Sequence, residues 1–197
     1  MATRSPKPDA PVSFGYKCAW YAMRTNDSDA VVAALGMGRT VESTWGKGIE
    51  AAYADKVFVT PPLGDWILAA GWCLFYEGET PADSVQPLLT KLSKKFGEAQ
   101  YFCTYRVPEA HVWAVARAGK LIRAFGYIGE RCEITWNVGR PTKAELALGE
   151  EALDIPGPDE SQVMEIAGAW SINPCEIESE YTQPSLGRLG VCRKTNG

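Results

Sequence analysis

The sequence has one histidine, His111, and that scarcity limits its chemistry before anything else does. Zinc sites built on several imidazoles and paired-histidine catalysis are excluded. The cysteines are Cys18, Cys73, Cys103, Cys132, Cys175 and Cys192. No two of them form a C-x-x-C pair, so there is neither a zinc-ribbon nor a thioredoxin-type motif. Basic residues are not in excess. Lys and Arg total 20 against 24 Asp and Glu, for a formal charge of −4. Nucleic-acid binders need a basic stripe against phosphate, so this balance argues against that class. No apolar run approaches the roughly 18 residues of a membrane span. The most apolar stretch, Trp66 to Phe75, is too short. The start of the chain carries Pro6, Pro8 and Pro11 and lacks the apolar core of a signal peptide. The expectation is a cytoplasmic protein with free thiols and a disordered segment over residues 1–11. There is no G-x-x-x-x-G-K-[ST] loop and no EF-hand pattern. Gly36-Met-Gly38 and Gly46-Lys-Gly48 read as turns, and no cofactor or metal is expected.

What is present is a globular composition. The 197 residues are 46% hydrophobic, which suits a single domain over residues 12–197. Ser13 to Met23 alternates enough to read as a strand. Asn26-Asp-Ser-Asp29 offers caps for a short helix that Gly36 ends. Trp45, Ile49, Ala52 and Tyr53 share one helical face. Lys56 to Thr60 and Asp65 to Phe75, joined across Pro61-Pro62, read as a hairpin. From Thr80, apolar residues Val85, Leu88, Leu89, Leu92 and Phe96 recur at helical spacing up to Gly97. Pro87 requires either a kink or a start near Gln86. Four strands follow over Ala99–Val107, Val112–Arg117, Lys120–Gly129 and Arg131–Val138, with short links, as an antiparallel meander. Thr142-Lys-Ala-Glu145 is a capping box, and Asp159 with Gln162 caps a last helix ending near Ser171. Beyond Cys175 the chain reads as a polar tail. The fold class is α+β, a mainly antiparallel sheet (hairpin plus meander) flanked by about five short helices. Phe58-x-Thr60 before Trp66 and Phe102-x-Thr104 before Trp113 are two similar hairpins, which the sequence leaves in one sheet or two.

Few residues offer chemistry. His111 could act as a base oriented by Glu109, or pair with Cys103 as thiol and imidazole. The plainer reading is a polar residue at a strand start. Acids gather near element ends, at Glu77, Glu79 and Asp83, at Glu130 and Glu133, and at Asp159 and Glu160. Such acids are ordinarily solvated surface. On one rim of the sheet they would steer a basic partner, with Tyr105 and Arg106 among the aromatic and cationic anchors.

Several stretches resemble uncharacterised bacterial proteins of the immunity type, the partners of polymorphic or secretion-delivered toxins. They are Val57-Phe-Val-Thr-Pro-Pro-Leu-Gly-Asp-Trp-Ile-Leu-Ala-Ala-Gly71, His111-x-Trp113 and Gly119-Lys-Leu-Ile-Arg-Ala-Phe-Gly-Tyr-Ile-Gly-Glu130. The last is Pro158-Asp-Glu-x-x-Val-Met164 with Trp170-Ser-Ile-Asn-Pro174. The resemblance spans roughly residues 55–175 and brings no catalytic residues. It implies an inhibitor that occludes the active site of a cognate toxin with a basic cleft. The expected contact set is Glu77, Glu79, Asp83, Tyr105, Arg106, Glu109, His111, Glu130, Glu133, Asp159 and Glu160. The alternatives are a small cytoplasmic enzyme using Cys103 and His111 with carboxylates, and a small-ligand-binding domain.

Overall fold

The structure is a computed structural model that describes residues 5–78, 80–149 and 157–191. The strands are β1 (Cys18–Arg24), β2 (Val41–Ser43), β3 (Val57–Val59), β4 (Trp66–Ala70), β5 (Glu98–Tyr105), β6 (Ala110–Arg117), β7 (Lys120–Ile128), β8 (Glu133–Val138) and β9 (Gly187–Gly190). The helices are α1 (Ser28–Ala34), α2 (Trp45–Ala52), α3 (Pro81–Phe96), α4 (Lys143–Ala147), α5 (Glu160–Trp170) and α6 (Ile177–Glu180). All strands join one 9-stranded sheet, ordered β2-β9-β3-β4-β1-β5-β6-β7-β8, and every pairing is antiparallel. The two tryptophan-bearing hairpins, β3–β4 and β5–β6, therefore share a sheet, with β1 between them.

Central strands are apolar on both sides because helices cover both faces. On one face Tyr21, Tyr101, Val112 and Ala114 pack with Val31 of α1 and Val85, Leu89 and Leu92 of α3. On the other, Trp20, Phe102, Trp113 and Phe125 pack with Trp45 and Ile49 of α2 and Val163, Ile166 and Ala167 of α5. Those four aromatics lie in register on β1, β5, β6 and β7. Trp20 stacks on Phe102 at 5.2 Å between ring centroids, and Trp113 stacks on Phe125 at 4.9 Å. Cross-strand aromatic pairs of this kind stabilise a sheet beyond the area they bury.

Beside this row stands a buried ion pair. The Nε of Arg123 on β7 donates to Oε1 of Glu145 on α4 at 2.7 Å, and both side chains are wholly buried. The Trp113 indole donates to the same oxygen at 2.8 Å. Oε2 of Glu145 accepts from the Thr142 backbone N–H at 2.7 Å, which closes the capping box read from the sequence. Arg123 also donates to the side-chain oxygen of Asn137 at 2.6 Å and to the Val138 carbonyl at 3.0 Å. Each charge is thus hydrogen-bonded as well as paired, the condition under which burial of an ion pair is tolerated.

Several expectations need correction. The strand expected over residues 65–75 ends at Ala70, and Trp72–Leu74 form a 3-10 turn. Gly71 stands between them, and a Cβ there would sit 2.6 Å from the Lys56 carbonyl oxygen, so the backbones touch. Cys73, expected inside a strand, is exposed on that turn. α3 runs unbroken from Pro81 with Pro87 inside it. The tail is not featureless, because α6 and β9 lie within it, and β9 is inserted between β2 and β3. Residues 1–11 were expected to be disordered; residues 1–4 lie outside the described residues, but within 5–11 Asp9 is fastened. Its carboxylate accepts from the backbone N–H groups of Trp45 at 2.6 Å and Gly46 at 3.0 Å, and caps α2. Cys18, Cys73, Cys103, Cys132 and Cys175 are free thiols, and Cys192 lies outside the described residues.

Glu145→Ala leaves the Arg123 guanidinium buried without its counter-charge. The expected cost is about 3–5 kcal/mol of unfolding free energy, read by urea denaturation. Combining Arg123→Met with Glu145→Leu is expected to cost less than the sum of the two single changes.

Candidate functional site

In an antiparallel sheet alternate connections fall at the same end. The turn between β5 and β6 and the link between β7 and β8 therefore stand side by side. The start of β1, the end of β4 and the N-termini of α3 and α5 reach the same end. Glu77, Asp83, Tyr105, Arg106, Glu109, His111, Glu130, Glu133, Asp159 and Glu160 are all brought here. Glu79 lies outside the described residues.

The two turns are tied to each other. The N–H of Gly129 donates to the Glu109 carbonyl at 3.1 Å, and the N–H of Glu130 to the Pro108 carbonyl at 3.3 Å. The Glu109 side chain lies over Gly129, where a Cβ would collide with it. Glu109 and Cys132 both hold left-handed backbone, with φ of 51° and 48°, and Lys17 at the mouth of β1 has φ of 50°. Non-glycine residues carry that conformation at a cost of about 1–3 kcal/mol each, so the surroundings hold these loops in one shape. Val107, at the tip, is 73% exposed. Beside it Tyr105 meets Trp72 and Phe75 edge-on, at 5.3 and 5.5 Å, and Trp72 is exposed.

Several of the expected contact residues are already occupied. Asp159 caps α5, accepting from the Gln162 N–H at 3.0 Å and the Ser161 hydroxyl at 2.6 Å. Burial alone would raise its pKa, but these hydrogen bonds prevail and hold it below the usual value. Arg106 donates through two nitrogens to Oε2 of Glu160, at 2.6 and 2.9 Å. Arg131 pairs with Glu133 at 3.1 Å. Glu109, Glu130 and Asp83 are exposed and have no ion-pair partner among the described residues.

His111 is not a surface residue. It is 4% exposed, on the α5 face, opposite Thr104 of β5 and Tyr127 of β7. Its Nδ1 is buried without a hydrogen-bond partner, and so is Oε1 of Glu160. Burial pushes the imidazole pKa down, and the charges of Glu160, Asp159 and Glu109 oppose this only in part. The pairing with Cys103 is ruled out by register. Cys103 sits opposite Val112, on the α3 face, whereas His111 faces α5, so the sheet separates thiol from imidazole. Burial also pushes the Cys103 thiol well up, away from the reactive thiolate.

Among the described residues no group of three or more His, Cys, Asp or Glu is placed to hold a metal ion. Among the same residues no helix is long and apolar enough to cross a membrane. Two open grooves, of about 510 and 360 Å³, lie near β2 at the other edge of the sheet, and none of the candidate residues lines them.

A histidine whose pKa is lower folded than unfolded takes up its proton on unfolding. Its contribution is fully present above the unfolded value of about 6.5 and is lost as pH falls below it. Urea denaturation of the wild-type chain is expected to show this decline from about pH 7 toward pH 5. His111→Gln is expected to flatten it over the same range. An unchanged slope would assign the proton to another group.

Comparison of the chain with protein-family models, with curated proteins and with solved structures finds no match, so its function is argued from this geometry.

Proposed function

We propose that this protein is a binding protein, an immunity-type inhibitor that neutralises a cognate bacterial toxin by covering its active site with the loop end of the sheet. The observation that carries the reading is the pair of hydrogen-bonded turns that hold Glu109 and Glu130 exposed beside Val107. A surface fixed before contact loses little entropy on docking, which favours affinity. The unpaired carboxylates supply steering toward a basic cleft, and Val107 with the Trp72–Tyr105 cluster supplies apolar contact. His111 takes no direct part, since it is buried. The enzymatic alternative through Cys103 and His111 loses its basis, because the two side chains lie on opposite faces.

The test is rescue of cells that express the product of the adjacent gene, together with co-purification of the two proteins. Glu109→Arg combined with Glu130→Arg is expected to weaken the complex about a hundredfold and to abolish rescue. The melting temperature is expected to hold, since both positions are exposed. Full rescue by this variant, or no rescue by the wild-type chain, would sink the proposal.

A further inference from the structure

The loops at one end of the sheet are acidic, and over β5 to β8 the opposite end is basic. α3 finishes there with Lys91 and Lys94, and the turn between β6 and β7 carries Arg117 and Lys120. Arg140 follows β8, and Lys143 opens α4. All six cations are exposed. Lys120 is the register partner of Arg117, and the Lys94 side chain lies 3.3 Å from where a Cβ on Gly119 would stand. A Cβ on Gly139 would meet the Ile122 carbonyl, so the exit of β8 adjoins the start of β7. The cations therefore stand on neighbouring elements and form one stripe across the end of the sheet.

The acids beside this stripe are already engaged. Glu98 is bound to Arg117 at 2.9 Å, and Glu145 is wholly buried against Arg123. Lys91, Lys94, Lys120, Arg140 and Lys143 have no ion-pair partner among the described residues. α1, with Asp27 and Asp29 at its start, borders the stripe at Lys95, whose Nζ donates to the Ala30 carbonyl at 3.1 Å. A helix C-terminus favours cations, which accounts for Lys94 without any partner. It does not account for Lys120 or Arg140, which belong to no helix. Nor does it account for Lys143, which opens α4 where the dipole favours an acid.

The acidic balance of the whole chain hides this stripe, because the fold sorts the charges by position. β5 and β6 each have 8 residues, so about 25 Å of strand separates the two ends. That exceeds the Debye length of about 10 Å at 0.1 M salt, which screens the acidic loops from a ligand at the basic end. Four of the five free cations are lysines, which protein–protein interfaces deplete and which hold phosphate as point charges. The exposed aromatic residues, Tyr16, Tyr53 and Trp72, lie elsewhere, so unpaired bases find no stacking platform here. We propose that the basic end of the sheet binds the phosphate backbone of a nucleic acid duplex without reading its sequence. The stripe lies apart from the paired turns, so this holds whether or not those turns cover a toxin.

Fluorescence anisotropy of a short labelled DNA duplex, titrated with the full chain, tests this. Micromolar binding is expected at about 50 mM salt, with log Kd rising against log salt at a slope of about 4 for five phosphate contacts. Lys94→Glu and Lys120→Glu are each expected to raise Kd about tenfold and to lower that slope by about one or more. Lys47→Glu makes the same change of charge on α2, at the other edge of the sheet, and is expected to raise Kd by no more than about twofold. Far-ultraviolet circular dichroism is expected to be unchanged in every variant. An absence of binding at that salt concentration would overturn the proposal, as would Lys94 and Lys120 variants that bind like the wild-type chain. So would a Lys47→Glu loss equal to that of Lys120→Glu, or equal affinity for a single strand. Displacement of the duplex by polyglutamate at matched charge would overturn it in favour of an acidic protein partner.

Discussion

The row of rings formed by Trp20, Phe102, Trp113 and Phe125 constrains everything around it. Each ring belongs to a different strand, and each is placed by a cross-strand register. A slip of one residue in any of these strands would turn its ring to the α3 face and expel Tyr21, Tyr101, Val112 or Ala124 from that core. The rings therefore fix the order β1-β5-β6-β7, and that order fixes which loops meet at each end. α5 must lie across them, where Trp170 meets Phe102 at 5.9 Å. The buried guanidinium of Arg123 lies over Phe125 at 5.6 Å, and through Glu145 it ties α4 to the same row.

Much of the fold was legible because its middle is built from residues with strong periodic signals. The meander declared itself in runs such as Ala110–Arg117, and Ala118-Gly119 marked a two-residue turn with φ of 46° and 81°, as such hairpins require. Asp159 and Gln162 announced the start of α5 through the capping box. What was missed lacks such signals. β9 reads Gly-Arg-Leu-Gly, too short and too glycine-rich for strand propensity to register. Its glycines are required by packing that a sequence does not display: a Cβ on Gly187 would strike the Phe58 ring and the Val59 carbonyl. β2 forms only because β9 offers it a partner. Asp9 looked like part of a disordered, proline-rich segment, since its role depends on the distant N-terminus of α2.

The candidate site was legible in position and illegible in detail. Acids at element ends reach one rim because an antiparallel meander returns its turns there, and that follows from the topology alone. The state of each residue does not. His111 is polar and sits at a strand start, so nothing in the sequence distinguishes a buried imidazole from an exposed one. Whether it shares a face with Cys103 depends on hairpin register, and the register pairs His111 with Thr104 instead. Glu109 and Cys132 gave no warning of left-handed backbone, which glycine or asparagine would have given. Arg123 was missed as a core residue because a cation in a strand ordinarily faces solvent. Only the nearby carboxylate of Glu145, brought in by a helix cap, makes its burial tolerable.

The composition of that rim also separates charge used from charge available. α3 and α5 both begin there, and a helix N-terminus favours acids in its first turn whether or not a partner exists. Asp83 and Glu160 stand in such first turns, and Asp159 is a cap. Glu160 is further consumed by Arg106, and Glu133 is shared with Arg131. A count of acids from the sequence therefore overstates the field a partner would meet. What remains outside these internal duties is concentrated on the paired turns, at Glu109 and Glu130, where two backbone hydrogen bonds join one turn to the other. Exposed charge on turns that are tied to each other is the arrangement that gives orientation and not merely attraction. For that reason the interaction reading rests on those two residues more than on the acidic balance of the chain.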